Sequence, residues 1–418
     1  MNAPRPLLSL DDALQRLQQG AAAHRLTAEE PTSTFDALGR VLARDLVSPL
    51  AVPPADNTAM DGYVLHSADV PAAGVVLPVS QRIPAGVVGH TLQPGTAARI
   101  FTGGQIPAGA DCVVMQEHCE ALPAGPGTGL GQVRVNTVPE PGQWIRRRGE
   151  DVQAGAVVLA AGTRLTPQAL GLAASVGFAE LPLLRRPRVV LFSTGDELQM
   201  PGEVLRPGAI YNSNRFTHRA LFQAAGCEVS DLGIVPDRLD ATRAALRQAA
   251  EGHDLIVTCG GVSVGEEDHL KPAMLAEGTL EHWQLAIKPG KPLAFGTVRR
   301  ADGSSALFVG LPGNPVSSFV TYLLCVTTVL RALQGMAPGL PAALPLRADF
   351  DWPRADKRRE FLRVRLNAAG GLDLYPNQSS GVLTSAVWAD GLLDNPPGQT
   401  IRRGDTVRFL PLAELINR

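Results

Sequence analysis

Residues 254–269 read DLIVTCGGVSVGEEDH. Leu255 to Thr258 is an apolar, β-branched run of the kind that forms a strand buried on both faces. Gly260, Gly261 and Gly265 follow, where a backbone without Cβ takes positive φ and comes close to a ligand. Glu266, Glu267 and Asp268 then bring carboxylates to the far side of the same turn. A strand, a glycine turn and an acidic cluster in this order place charged groups at the C-terminal edge of a parallel sheet. Open α/β sheets bind ligands at that edge. The same text also suits a tight turn ahead of a solvated acidic helix start.

Outward from this stretch, residues 188–335 alternate strand and helix. RVVLFST (188–194) reads as a strand, and Asn214 reads as the cap of a helix over 215–225 that stops at Gly226. Cys227 to Val235 is a strand and Leu239 to Glu251 a helix, with further strands expected at Trp283–Ile287 and Leu307–Val309. A long helix follows Pro315. This spacing predicts right-handed crossovers and a doubly wound α/β sheet. The flanks differ. Residues 8–24 form an amphipathic helix, with Leu10, Leu14 and Leu17 on one face and Asp11 and Asp12 in the first turn. From about 47 to 184 the text is Val runs punctuated by Gly and Pro, which predicts short strands. Residues 340–418 return to strands (FLRVRL, LDLYP, TVRFLPL) and a small β-domain.

Bulk properties narrow the setting. A chain of 418 residues exceeds one ordinary domain and predicts two to four. A net charge of −2 gives no basic field for nucleic acid. The 5 cysteines form no CxxC pair, so disulfides and structural zinc are not expected, and a reducing cytoplasm fits. No secretion signal is visible in MNAPRPLLSLDDALQRL. The apolar segment Val316 to Leu333 is interrupted by Ser, Thr and Arg, and reads as a buried helix, not a membrane span.

Three more turns carry chemistry-like text: Phe192-Ser-Thr-Gly-Asp-Glu-Leu198, Val235-Pro-Asp237 and Val309-Gly-Leu-Pro-Gly-Asn-Pro-Val-Ser-Ser318. A lone Asp after a strand suits helix capping equally well. Four such turns at one sheet edge favour a shared cleft. The last turn opens a helix whose free N–H groups, with Ser317 and Ser318, make an anion seat, and Pro315 suits its first turn. Glu197, Asp237 and Asp268 would repel any phosphate held there. At about 4 Å and an effective dielectric near 20, each such contact costs on the order of 4 kcal/mol. Cations must intervene: Mg²⁺ suits carboxylates facing phosphate oxygens, and Lys288 and Lys291 in IKPGKP supply a rigid pair of ammonium groups. The pair also suits two solvated surface lysines. Together the parts point to phosphate or oxyanion chemistry driven by positioning and electrostatics, without a covalent nucleophile.

At this point the chain resembles the molybdopterin molybdenumtransferases, molybdate-insertion enzymes of molybdenum cofactor synthesis related to the C-terminal domain of gephyrin. The matching text is PPADNTAMDGYV (53–64), RIFTGGQIPAGADCVVMQE (99–117), RRRGEDV (146–152), FSTGDEL (192–198) and GAIYNSN (208–214). It continues through TCGGVSVGEEDH (258–269), AIKPGKPLAFG (286–296), LPGNPVSS (311–318) and QSSGVLTS (378–385). QSSG departs from the GS or SH pair of some relatives.

The resemblance implies an α/β multidomain fold. A discontinuous linking domain (1–48 and 146–184) would carry a β-rich insertion (49–145). A molybdopterin-binding α/β domain (185–336) and a C-terminal β-barrel-like domain (337–418) would follow. It implies a transferase that cleaves adenylylated molybdopterin with Mg²⁺ and molybdate, releasing AMP and molybdenum cofactor. Glu197, Asp237 and Asp268 would be the metal-binding and catalytic carboxylates. Ser193, Thr194, Gly195, Asn212, Ser213, Gly260, Gly261, Ser263, Gly265, Pro312, Gly313 and Asn314 would hold the pterin phosphate and nucleotide. Lys288, Lys291, Ser317, Arg363 and Ser380 would line the molybdate pocket. In a homodimer, Asp61, Thr102 and Asp151 would act in trans, although Asp61 reads equally well as a turn residue. Molybdopterin adenylyltransferase and molybdoenzyme-maturation proteins would be partners; nucleic acid and membrane would not.

Two alternatives stay open. A molybdopterin adenylyltransferase uses a similar α/β domain but has no need of the roughly 180 residues before it or the β-domain after it. A non-catalytic gephyrin-like scaffold could lose cleft carboxylates, yet Glu197, Asp237 and Asp268 are all present.

Overall fold

The structure, a computed structural model, describes residues 7–124, 129–261 and 269–417. The first helix, α1 (Leu10–Ala22), is capped by Ser9, whose Oγ accepts from the Asp12 N–H at 3.1 Å. Leu10, Ala13, Leu17 and Ala21 form its buried face. That face joins the core of the α/β sheet and not the neighbouring strands.

The chain then runs outward and later returns beside itself. Glu29–Ser33 pairs antiparallel with Glu180–Leu184, Leu46–Val47 with Val157–Leu159, and Asn57–Thr58 with Ile145–Arg146. Helix α2 (Pro167–Ser175), with Pro in its first turn and Thr166 as cap, closes a small core over this double strand. At its far end lies a six-stranded sheet built from residues 62–135. Its short strands separated by Gly and Pro turns are those expected from the text.

The α/β unit comprises β1 (Arg188–Thr194), α3 (Ser213–Ala224), β2 (Glu228–Val235), α4 (Leu239–Ala250), β3 (Leu255–Cys259), α5 (Leu270–Glu277), β4 (Gly278–Gln284), β5 (Ile287–Lys288), β6 (Pro292–Arg299) and β7 (Ser305–Leu311). The sheet order is β2-β1-β3-β7-β6-β4. Period-two alternation explains the double-sided burial. Val189 and Leu191 face one core with α1, while Val190 and Phe192 face the other with α4 and α5. β2, β1, β3 and β7 are parallel, whereas β6 and β4 are antiparallel additions. The turn between β6 and β7 is too short for a crossover, which forces a hairpin.

Two local readings change. Trp283–Ile287 is not one strand: β4 ends at Gln284, and β5 leaves this sheet to pair with Arg359–Glu360 of the C-terminal sheet. Asn214 is not the cap of α3. Asn212 has the non-helical backbone, and its Oδ1 accepts from the Arg215 N–H at 3.2 Å.

After β7 come α6 (Pro315–Thr321), a five-residue π turn (Tyr322–Val326) and α7 (Thr327–Leu333). By length and composition the stretch Pro315–Leu333 could cross a membrane, but 83% of its apolar window is buried inside the protein, packed against α1. The C-terminal sheet contains β8 (Arg359–Leu366), Gly391–Asn395, Thr406–Pro411 and Leu344–Arg347, with β5 at its edge. Through β5 the two sheets are stitched together, and the cleft between them is shaped.

Candidate active site

The C-terminal ends of β1, β3 and β7 and the strand-leaving loop around β5 frame a cavity of about 710 Å³. Thr194, Glu197 and Asn212 line one side, and Gly260, Gly261, Pro312, Gly313, Asn314 and Ser317 line the floor. Lys288 and Lys291 stand opposite. The C-terminal domain closes the cavity with Arg358, Gln378, Ser379 and Ser380.

Glycine at 260 is required by packing. Its φ is +94°, and a Cβ there would sit 2.8 Å from the Thr194 carbonyl oxygen. Two adjacent turns therefore close together only without a side chain at this point. Asn212 is 2% exposed and its Nδ2 has no partner among the described residues, so the cap residue keeps an unused donor at the cavity wall. Asn214 Nδ2 donates to the Gly313 carbonyl at 2.7 Å, tying the start of α3 to the turn before α6.

Beneath that turn lies a buried cluster that sequence reading did not find. His218 Nδ1 lies 2.7 Å from the Asn214 carbonyl, and Ser318 Oγ lies 3.2 Å from Nε2. The ring therefore donates through Nδ1 and accepts from Ser318 through Nε2. Cys259 Sγ lies 3.3 Å from Nδ1 and lines the cavity. Burial lowers the His218 pKa to about 4 and raises the Cys259 thiol to about 12. Both stay neutral, so Cys259 is a packing group and not a thiolate nucleophile. Residues 218, 259 and 318 lie on three separate elements, and no local pattern joins them.

The cations differ in their state. Lys288 Nζ is 3.1 Å from Glu360 Oε1 and 3.3 Å from Asp356 Oδ2. Arg358 binds Asp356 through Nη2 at 2.8 Å and Nε at 3.0 Å, which holds the Asp356 carboxyl far below the usual carboxylate range. Among the described residues no ion pair engages Lys291. Arg358 was missed from the sequence, although its place just before the predicted strand FLRVRL was a usable signal.

Arg363, expected in this pocket, is buried behind its wall, where its Nη2 donates to the carbonyl of the lining residue Ser379 at 3.4 Å. It is 1% exposed, and its guanidinium donates to the Phe361 carbonyl at 3.0 Å and to Ser385 Oγ at 3.1 Å. Arg363 lies within β8 on the same face as the fully buried Phe361, whereas Arg358 lies before the strand begins. Burial without a carboxylate lowers its pKa to about 10.

Ser193, Gly195, Ser213 and Asp237 also stay outside the lining. Ser193 is 2% exposed within β1, and Ser213 is the first residue of α3. Gly195, with φ +142°, lies directly under the Glu197 carboxylate. Asp237 follows β2, the outermost strand, one position beyond the strands that frame the cavity. Ser263, Gly265 and Asp268 lie outside the described residues. Asp61 and Thr102 meet on the N-terminal sheet, where Asp61 Oδ1 accepts from Thr102 N and Oγ1, both at 2.7 Å. Those hydrogen bonds lower the Asp61 pKa. Asp151 is exposed, and its N–H binds the Val52 carbonyl at 3.1 Å. None of these last three lines the cavity of its own chain.

Among the described residues no group of three or more His, Cys, Asp or Glu is arranged to hold a metal. Glu197 is the one described carboxylate in the lining. One carboxylate with hydroxyls and water suits a hard divalent cation that keeps most of its hydration, and does not suit a closed cage.

Comparison with known proteins agrees along the whole chain. Residues 8–177 match the family described as MoeA N-terminal region (domain I and II), 190–332 the probable molybdopterin binding domain, and 345–412 the MoeA C-terminal region (domain IV). The chain is 41% identical to the molybdopterin molybdenumtransferase of Haemophilus influenzae, over 98% of this chain and 100% of that one. It is 35% identical to the protein of that name from Nostoc, over 93% of this chain and 90% of that one. The crystal structure of a molybdopterin biosynthesis MoeA protein from Pyrococcus horikoshii superposes with a TM-score of 0.82 at 28% identity, covering 97% and 99% of the two chains.

Proposed function

The chain belongs to the molybdopterin molybdenumtransferase family, and from that membership we propose that it inserts molybdate into adenylylated molybdopterin, releasing AMP and molybdenum cofactor. The observation that carries this reading is a cavity in which cations, hydroxyls and open glycine backbone converge from two domains. A tetrahedral dianion needs several donors at once. Lys288, Lys291, Arg358, Ser317 and Ser380 supply them at one end. Thr194, Gly260, Gly261 and the unused Asn212 donor suit the phosphate and nucleotide at the other.

Mg²⁺ fits as the divalent ion: held by Glu197 and water, it would neutralise pyrophosphate oxygens facing that carboxylate. Asp237 and Asp268 remain proposed members of the same set. Positioning then carries the rest of the rate, since the cavity side chains hold both anions beside each other and shield them from bulk water. The reaction is assigned to a reducing cytoplasm, with all 5 cysteines free. Asp61, Thr102 and Asp151 are proposed to serve the partner's cavity in a homodimer. The adenylyltransferase and scaffold alternatives lose weight because relatives named as molybdenumtransferases match from end to end.

AMP release from adenylylated molybdopterin, followed against molybdate concentration with and without Mg²⁺, tests the proposal. Release should saturate with molybdate and require the metal. Glu197→Gln should lower it by about 100-fold or more at an unchanged thermal midpoint. AMP release indifferent to molybdate would end this reading.

A further inference from the structure

The N-terminal sheet carries a row of cations and rings beside Asp61 and Thr102. Arg82, in the strand Val75–Ile83, and Arg99, in the strand Ala97–Ile100, are register partners on adjacent parallel strands. Tyr63 pairs with Arg99 from the other side. The Arg99 guanidinium carbon lies 5.2 Å from the Tyr63 ring centre and 4.6 Å from that of Phe101. The Arg82 carbon lies 4.8 Å from the Phe101 ring centre. A cation over an aromatic face is held by the ring quadrupole. Arg99 is fixed further, because Nη1 donates to the Gly62 carbonyl at 2.8 Å and Nη2 to Gln116 Oε1 at 2.7 Å. Among the described residues no carboxylate forms an ion pair with either arginine. The row ends at Asp61 and Thr102, since Thr102 follows Phe101 and Asp61 lies just before Gly62 and Tyr63. The Asp61 pKa, lowered chiefly by the Thr102 hydrogen bonds, is lowered further by the Arg99 charge.

We propose that Arg99, assisted by Arg82, binds the pyrophosphate of adenylylated molybdopterin seated in the partner subunit's cavity. The inference rests on the reading that Asp61 and Thr102 serve that cavity in a homodimer. A carboxylate carried alone toward pyrophosphate repels it, and a guanidinium alongside offsets that repulsion. The planar fork of arginine meets two phosphate oxygens at once, which an ammonium group does not. Rings and hydrogen bonds settle the orientation of Arg99 before any ligand arrives, so little side-chain freedom is lost on binding. Arg82 stands one strand spacing away, roughly 4.8 Å, where it suits a second phosphoryl group.

AMP release by the full chain, titrated with adenylylated molybdopterin at saturating molybdate and Mg²⁺, tests this. Arg99→Gln should raise the KM for adenylylated molybdopterin at least about tenfold and change the molybdate requirement little. Arg99→Lys, which keeps the charge and loses the fork, should recover part of that loss. Arg82→Gln, at an exposed position, should raise the same KM several-fold and guards against a folding defect at position 99. Mixing Arg99→Gln protein with Glu197→Gln protein should restore the wild-type KM, because the cleft that keeps Glu197 then meets an intact Arg99. An unchanged KM in both Arg99→Gln and Arg82→Gln overturns the proposal. Verified subunit exchange that rescues Asp61→Asn and not Arg99→Gln overturns this inference alone, whereas exchange that rescues neither removes the homodimer reading with it. Wild-type AMP release indifferent to molybdate removes the proposed function, whatever the arginines do.

Discussion

His218 shows how one residue couples the site to stability. Its ring is 1% exposed and neutral, joining the Asn214 carbonyl to Ser318. The folded pKa, about 4, lies below the ordinary 6.5, so between these values the unfolded chain binds the extra proton. Stability from this group is full above pH 6.5 and is lost as the pH falls toward 4. At pH 5 the loss amounts to on the order of 2 kcal/mol. Thermal midpoints measured from pH 7.5 to 5 should therefore fall steeply in the wild type and more gently in His218→Gln. Equal slopes would exclude His218 as the source. No sequence pattern announces this cluster, because a histidine in the middle of an amphipathic helix reads the same whether it meets a serine or a leucine. Lys288 and Lys291 teach the converse. Their text singled out both, but only the fold revealed that one is paired with carboxylates and the other, among the described residues, is not.

At the scale of elements, the turns after β1, β3 and β7 were legible because their requirements are local. A buried apolar strand followed by glycine has few conformations open to it, and Gly260 uses its freedom at φ +94°. Gly260→Ala should destabilise the protein by about 1–3 kcal/mol in denaturant unfolding and also slow AMP release. A variant of wild-type stability would show that the turn relaxes without strain. Helix starts were less legible. Asn212 and Asn214 are both good caps by composition, and the choice fell to Asn212 because the short strand Ile210–Tyr211 sets where the helix begins. The split of Trp283–Ile287 has a similar cause: alternation continues in the text, but β5 finds its hydrogen-bond partners in β8.

For the whole molecule we propose units corresponding to residues 1–48 with 146–184, 49–145, 185–336 and 337–418, with α1 packed as part of the third. The cleft belongs to the last two. The pair Asp61–Thr102 does not line the cleft of its own chain, yet is held ready by two hydrogen bonds of 2.7 Å. If it serves a partner subunit, mixing inactive Asp61→Asn protein with inactive Glu197→Gln protein should restore AMP release. One of the two clefts in a mixed dimer would then be intact. Continued inactivity after verified subunit exchange would assign these residues to their own chain or to no catalytic role.

The amino-acid sequence by itself determined the doubly wound sheet, the strand-rich flanks and most of the glycine, serine and lysine positions around the cavity. Those features follow from short-range rules: residue period, turn conformation and cap chemistry act within a few positions along the chain. Tertiary structure alone decided that Arg358 lines the cavity while Arg363 is buried behind its Ser379 wall, that Asp356 shares two of its cations, and that His218 lies beneath it. Those outcomes depend on which strand pairs with which across long separations, and on the strand face to which a side chain is committed once that register is set.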